Sequence, residues 1–254
     1  MLSFHKLTEE DRLLLKRAED CARAVTKYKT PQFTKFVSPH ERVVFENFAE
    51  VSPFIKTMVW GGAPDCERSI IGFFPDFKEP GEALFPISAV RISAPEPLGH
   101  RDILGSVLGL GIERSLVGDI YPEPTGAVLF CLDSISDFIC MNLSRVGRVG
   151  ITAELVSSDA LFIAPKETKE ISGTVASLRL DAVLGLATGK ARAKVQALID
   201  AGLVQVNWTV EDSASRIVCE GDILSVRGFG RMKLKTVGGE SKKGRIWIVV
   251  EQYI

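Results

Sequence analysis

Three stretches of this sequence come close to known chemistry, and each fails on spacing. His100-Arg101-Asp102 has the residue types of a phosphoryl-transfer catalytic loop. That loop needs an Asn five residues after the Asp to hold magnesium, and Val107 stands there. "GLATGKAR", from Gly185, looks like a phosphate-cradling loop. Only three residues separate Gly185 from Gly189-Lys190, Ala191 follows the Lys in place of Ser or Thr, and no strand pattern precedes it. Gly109-x-Gly111 follows a helical pattern instead of a strand, so a dinucleotide fingerprint is excluded. The three histidines, His5, His40 and His100, have no metal-ligand spacing to Cys or carboxylates. We therefore expect no nucleophile–base pair, no metal and no cofactor. Gly99 to Asp102 would gather N–H groups, a His and an Arg at a helix N-terminus, where phosphate is attracted; a plain capped helix packing through Gly105, Gly109 and Gly111 fits equally well.

What remains is cationic chemistry. Arg179, Lys190, Arg192 and Lys194 lie close together, and Arg227, Arg231, Lys233 and Lys235 follow. Guanidinium and ammonium groups in this density neutralise phosphates, with affinity that falls with salt and little sequence preference. Residues 174–254 hold 12 Lys and Arg against 8 Asp and Glu, whereas the rest of the chain holds 19 against 24. The basic third is where a polyanion would bind.

Leu180, Val183, Leu184 and Ala187 fall at i, i+3, i+4 and i+7, one apolar face of a short helix. A second helix starts near Lys190 and buries Ala191, Val195, Leu198 and Ile199. Lys190 and Lys194 share its solvent face, with Arg192 at the border of the apolar one. Gly202 suits the left-handed residue after the helix. Val204 and Val206 alternate, Asn207 marks a turn, and Ile223, Leu224 and Val226 return as a strand after Gly221-Asp222.

This pattern resembles the αL RNA-binding motif, the small RNA-binding domain of ribosomal small-subunit protein four. The resemblance rests on Arg179-Leu180-Asp181, Arg192, Val195, Leu198-Ile199, Gly202, Val206-Asn207 and Gly221-Asp222. Two positions depart from it. Ala191 replaces a Ser that could cap the helix or touch phosphate. Trp208 replaces the Gly that favours a tight two-residue hairpin, so a looser turn is expected, with an exposed Trp208 able to stack on a base. Asp181 reads as a structural cap or ion-pair partner for this motif, not as a nucleophile.

The other elements come in an informative order. Residues 8 to 28 form an amphipathic helix with Thr8 and Asp11 as a capping pair. A second helix begins with Ser38 as cap and Pro39 in its first turn. Two strands follow around the Gly61-Gly62 turn. From Ile87 the pattern reads β-α-β-β-α-β, the ferredoxin-like order; its second helix runs from Asp133 to Val146, capped by Asp133 or Ser134. The aromatic strand signature of RNA-recognition domains is missing, since "GAVLFCL" has only Phe130. RNA contact there would use loops or helix ends. Residues 164–174 read as a linker. The expected fold is α+β: a small N-terminal α+β domain (1–80), a central ferredoxin-like (RRM-like) candidate RNA-binding domain (81–164) and an αL-type RNA-binding domain (174–254).

Five cysteines, at 21, 66, 131, 140 and 219, lie without CxxC spacing and read as buried free thiols in a reducing compartment. With no signal-peptide pattern and no apolar run of spanning length, a cytosolic protein is expected.

"GHRDILGSVLGLGIERSLVGDI", "WGGAPDCERSIIGFFPD" and the αL module together resemble the bacterial YlmH family across nearly the whole chain. The resemblance implies a non-enzymatic RNA-binding protein of the large ribosomal subunit, engaging rRNA and peptidyl-tRNA on stalled complexes in ribosome quality control, encoded near cell-division genes. The residues expected to contact RNA are the eight basic side chains above, Asn207 and Trp208 at the turn, and His100 and Arg101 in the central domain. No membrane partner is expected. The alternatives are an RNA-modifying enzyme centred on His100, Arg101 and Asp102, or a division-linked protein scaffold.

Overall fold

The computed structural model describes residues 7–157, 161, 168–240 and 244–253. The chain divides into two compact units, Met1–Ile163 and Ala164–Ile254.

The first unit opens with α1 (Glu9–Tyr28) and α2 (Pro39–Phe48), both started by reciprocal caps. The Thr8 N–H donates to Asp11 Oδ2 at 2.9 Å and the Asp11 N–H to Thr8 Oγ1 at 3.1 Å; Ser38 and Glu41 repeat the pattern. Two orphan donors per helix are thus satisfied locally. The helices cover a three-stranded sheet of β1 (Gln32–Phe33), β2 (Ile55–Trp60) and β3 (Ile70–Pro75), ordered β1-β3-β2. Every residue of β3 is buried. Its side chains alternate between two cores: Ile71 and Phe73 meet α1 and α2, while Ile70 and Phe74 meet a second sheet.

That second sheet contains β4 (Ile87–Ser93), β5 (Val117–Glu123), β6 (Gly126–Leu132) and β9 (Thr152–Val156), antiparallel in the order β5-β6-β4-β9. With α3 (His100–Gly109) and α4 (Asp133–Asn142) as crossovers, this is the ferredoxin-like arrangement the element order predicts. Val90, Ile92, Leu129 and Cys131 pack against Ile103, Val107 and Ile139 of the helices. Ala89, Val128 and Phe130, on the opposite face, pack against Phe36, Phe74 and Phe85.

Two local expectations fail here. The α4 N-cap is Leu132, with no side-chain cap, so neither Asp133 nor Ser134 serves; Asp133 instead accepts from Ser88 Oγ at 2.7 Å. The helix also stops at Asn142, and residues 145–150 form a hairpin, β7 (Arg145–Val146) with β8 (Val149–Gly150), because Gly147 takes φ +58°. Gly105, Gly109 and Gly111 are open to added atoms, so close helix packing is not their role. Of the cysteines only Cys131 is buried; burial pushes its thiol up to about 12, and the other four are half-buried or exposed.

The second unit is a six-stranded sheet of β10 (Thr168–Val175), β11 (Val204–Val206), β12 (Thr209–Val210), β13 (Ile223–Val226), β14 (Gly230–Glu240) and β15 (Ile246–Tyr253), with α5 (Leu180–Thr188) and α6 (Arg192–Asp200) on one face. The strand order is β10-β15-β14-β13-β11-β12. Of the stretch expected as a linker, residues 168–174 belong to β10, paired along its whole length with β15; residues 164–167 lie outside the described residues. Polar side chains on alternate positions look like a linker locally, and only pairing with β15 makes them a strand. Helix α6 starts at Arg192 with Ala191 as an N-cap lacking any side-chain bond, so Lys190 lies before the helix. The Gly202 N–H bonds Ile199 O at 2.9 Å and the Leu203 N–H bonds Leu198 O at 3.0 Å, a Schellman stop with Gly202 at φ +67°.

Val206 pairs with Thr209, leaving Asn207 and Trp208 alone in the turn at φ +49° and +61°. This is a two-residue turn of the I′ kind, contrary to the looser turn expected from Trp208. Asn207 carries it: its Nδ2 donates to Asp222 Oδ1 at 2.8 Å and its Oδ1 accepts from the Ile223 N–H at 2.9 Å. No described helix is long and apolar enough to cross a membrane.

Candidate nucleic-acid interface

In the second unit the start of α5 and the start of α6 meet at one carboxylate. Asp181 is buried, at 6% exposure, in the first turn of α5. Its Oδ1 accepts from Arg179 Nε at 3.2 Å, and its Oδ2 from Arg179 Nη2 at 3.1 Å and Arg192 Nη2 at 2.8 Å. The hydrogen bonds from Arg179, then those from Arg192, hold the carboxyl below the usual aspartate range despite its burial. The two Arg side chains remain 38% and 64% exposed. One carboxylate under two guanidiniums leaves a net positive charge. Each guanidinium has five N–H groups and spends only one or two here, so oriented donors face solvent. Asp181 is thus the ion-pair partner the sequence suggested, and it fixes Arg179 and Arg192 as one unit.

Lys190, just before α6, and Lys194, in its first turn, are exposed as well. Lys190 Nζ stands 5.8 Å from the ring centre of Phe229, in the turn between β13 and β14, which brings that turn and the exposed Arg227 toward the helix starts.

The remaining predicted residues do not join this surface. In β14, Met232 and Leu234 point into the core under α5 and α6. Strand alternation therefore sends Arg231, Lys233 and Lys235 to the opposite face. Lys235 is bound there to Glu170 at 2.6 Å and Glu251 at 3.1 Å. Trp208 is half-buried, with Arg231 Cζ 6.0 Å from its ring centre, so it is not a freely exposed ring. The side chain of Asn207 is engaged at both its nitrogen and its oxygen, by Asp222 and the Ile223 N–H. The basic side chains expected as one surface divide between a helix face and a sheet face.

In the first unit His100 and Arg101 are exposed in the first turn of α3, behind Gly99 as N-cap. A groove of about 380 Å³ is lined by Ser93, Ala94, Pro95, Ser144, Gly150, Ile151 and Thr152, and does not include His100, Arg101 or Asp102. Two exposed cations escaped the sequence reading: Arg145 and Arg148, on the β7–β8 hairpin that rests on α3 through the Gly147 N–H and Ser106 Oγ at 3.4 Å. The repeated "RVGRVG" was the available signal, and extending the helix to Val146 hid its first half.

Residues 80–159 match the family model described as "Putative RNA-binding domain in YlmH" and residues 178–224 match the S4 domain. The chain is 30% identical over 252 residues to the ribosome-associated protein quality control protein P2 of Bacillus subtilis, with 98% of each chain covered. Among solved structures it is similar to the cell division protein ylmH from Streptococcus pneumoniae, at 23% identity and a TM-score of 0.49, covering 61% of this chain and 96% of that one.

Proposed function

The chain belongs to the YlmH family, and from that premise we propose that it is a non-enzymatic, cytosolic RNA-binding protein of the large ribosomal subunit. It would engage rRNA and peptidyl-tRNA on stalled complexes in ribosome quality control, with any link to cell division indirect through that role. The observation that carries this is the pair Arg179 and Arg192 held on buried Asp181, with Lys190 and Lys194 exposed at the start of the same helix. Such a surface meets phosphates at fixed spacing and reads structured RNA by shape. Ribosome association is supported by the name of the Bacillus relative. In the proposed division of labour, residues 174–254 supply the main RNA contact, 81–164 a second through loops and helix ends, and 1–80 the support beneath the central sheet. Binding without catalysis is supported by the two RNA-binding domain matches and by the name of the Bacillus relative.

The test is affinity for a hairpin RNA measured against salt. The parent protein should lose affinity steeply with rising salt, and Arg192→Glu with Lys194→Glu should abolish binding at every salt while the fold survives. Removing one phosphate contact alone should reduce the slope by about one. Retained affinity in the double variant at the same salt would sink the assignment.

A further inference from the structure

The S4 match ends at residue 224, and the face of the second sheet turned away from α5 and α6 carries a feature neither family match covers. Ile248 and Val250 of β15 lie in the core, so Trp247 and Val249 take the other face, where Val249 is covered and Trp247 is not. Trp247 is 43% exposed on that outer face. Across β14 stands Gly238, where an added Cβ would come to 2.9 Å of Trp247 Cε3. The indole therefore lies against the β14 backbone in space that only glycine leaves. The glycine pair Gly238-Gly239 sits at a register shift between Val237 and Glu240, so the strand is bulged where the ring rests. One face of the ring is backed by main chain and the other meets solvent.

The surroundings name the ligand. Trp247 pairs in register with Thr174 of β10. Thr174 Oγ1 accepts from Arg245 Nε at 3.0 Å, which anchors a guanidinium one strand away from the indole. A pinned aromatic face beside an anchored guanidinium is the combination that takes a nucleobase and its phosphate, and stacking of this kind tolerates any base. An apolar protein segment has no use for the guanidinium, and a duplex offers no unstacked base.

We propose that Trp247, backed by Gly238 and flanked by Arg245, is a stacking site for an unpaired base of single-stranded or looped RNA, separate from the Asp181-centred surface. It rests on the RNA-binding reading for the class of ligand, and the test separates the two. Full-length protein is titrated with a short single-stranded oligoadenylate and with a hairpin RNA at one fixed low salt, as parent, Trp247→Ala and Trp247→Phe. The Ala variant should bind the single strand about 5- to 100-fold more weakly, the equivalent of one lost base stack. It should bind the hairpin stem as the parent does, and the Phe variant should recover most of the loss. Because Trp247→Ala could disturb β15, the unaltered protein is also cross-linked to a thiouridine-containing single strand and digested. The cross-linked peptide should contain Trp247. Equal single-strand affinity in parent and Ala variant, or a cross-link only elsewhere, overturns the stacking site alone; a parent that binds neither RNA overturns the RNA-binding reading and the stacking site with it.

Discussion

The molecule has two larger sheets, each with one face under a pair of helices, and they treat the other face oppositely. In the central sheet Ala89, Val128 and Phe130 are sealed against Phe36, Phe74 and Phe85. In the C-terminal sheet the corresponding side exposes Trp247 and Lys235, the latter neutralised by two glutamates, beside half-buried Arg231 and Lys233. A ferredoxin-like order alone would suggest RNA on the open sheet face, yet here that face is core. The sheet that can present a stacking ring is the one without the RNA-recognition topology. Fold order tells which faces exist, and only packing tells which are available.

The comparison breaks first at Phe130. Phe130→Ala removes a fully buried ring that also abuts Gly62 and should cost about 3–5 kcal/mol. Trp247→Ala, removing a half-exposed ring, should cost no more than about 2 kcal/mol. Denaturant titration of both variants checks this; equal losses would mean the outer face of the C-terminal sheet is as structural as the central one.

Next comes the division between helix face and sheet face. Lys194→Ala should weaken hairpin RNA binding about tenfold near 0.1 M salt, the yield of one phosphate contact. Lys235→Ala should change it about twofold or less, since that ammonium already faces Glu170 and Glu251. Equal effects in the same titration would show that both faces meet the same RNA.

Asp181 gives the pH dependence. Its folded carboxyl is held below the usual value of about 4. The ionised form is therefore favoured by folding, and the resulting stability is present above about pH 4 and lost as pH falls through the lower folded value. Asp181→Asn should flatten the acid limb of the stability curve of the C-terminal unit, and an unchanged limb would remove Asp181 as its source. The smallest effect is expected at Trp208. Trp208→Gly relieves a left-handed residue at φ +61° but gives up its packing against Arg231, so stability should move by less than about 1 kcal/mol in a thermal melt.

Much of this was readable in advance for reasons that are local. Thr8 with Asp11 and Ser38 with Glu41 announce their helices three residues at a time, and Gly202 announces its stop. The order of the central elements follows from periodicity. The run Ala127 to Cys131 is apolar at every position, a pattern of burial on both faces, and it held the clue that the central sheet is closed. What could not be read is long-range. That Arg231, Lys233 and Lys235 share a strand face follows from alternation, but that α5 and α6 lie on the other side does not. Asp181 joining Arg179 to Arg192 requires two helix starts to meet, and nothing in either helix alone says so. Trp247 is one Trp in an apolar strand until Gly238 is seen behind it.

In the proposed function the Asp181-centred surface docks this protein on the large ribosomal subunit. The most direct measurement is co-sedimentation with separated ribosomal subunits at low and moderate salt, for the parent and for Arg192→Glu with Lys194→Glu. The parent should pellet with the large subunit in a salt-sensitive way, and the double variant should not pellet. Pelleting of the double variant at the parent's level, or of the parent with neither subunit, would contradict it.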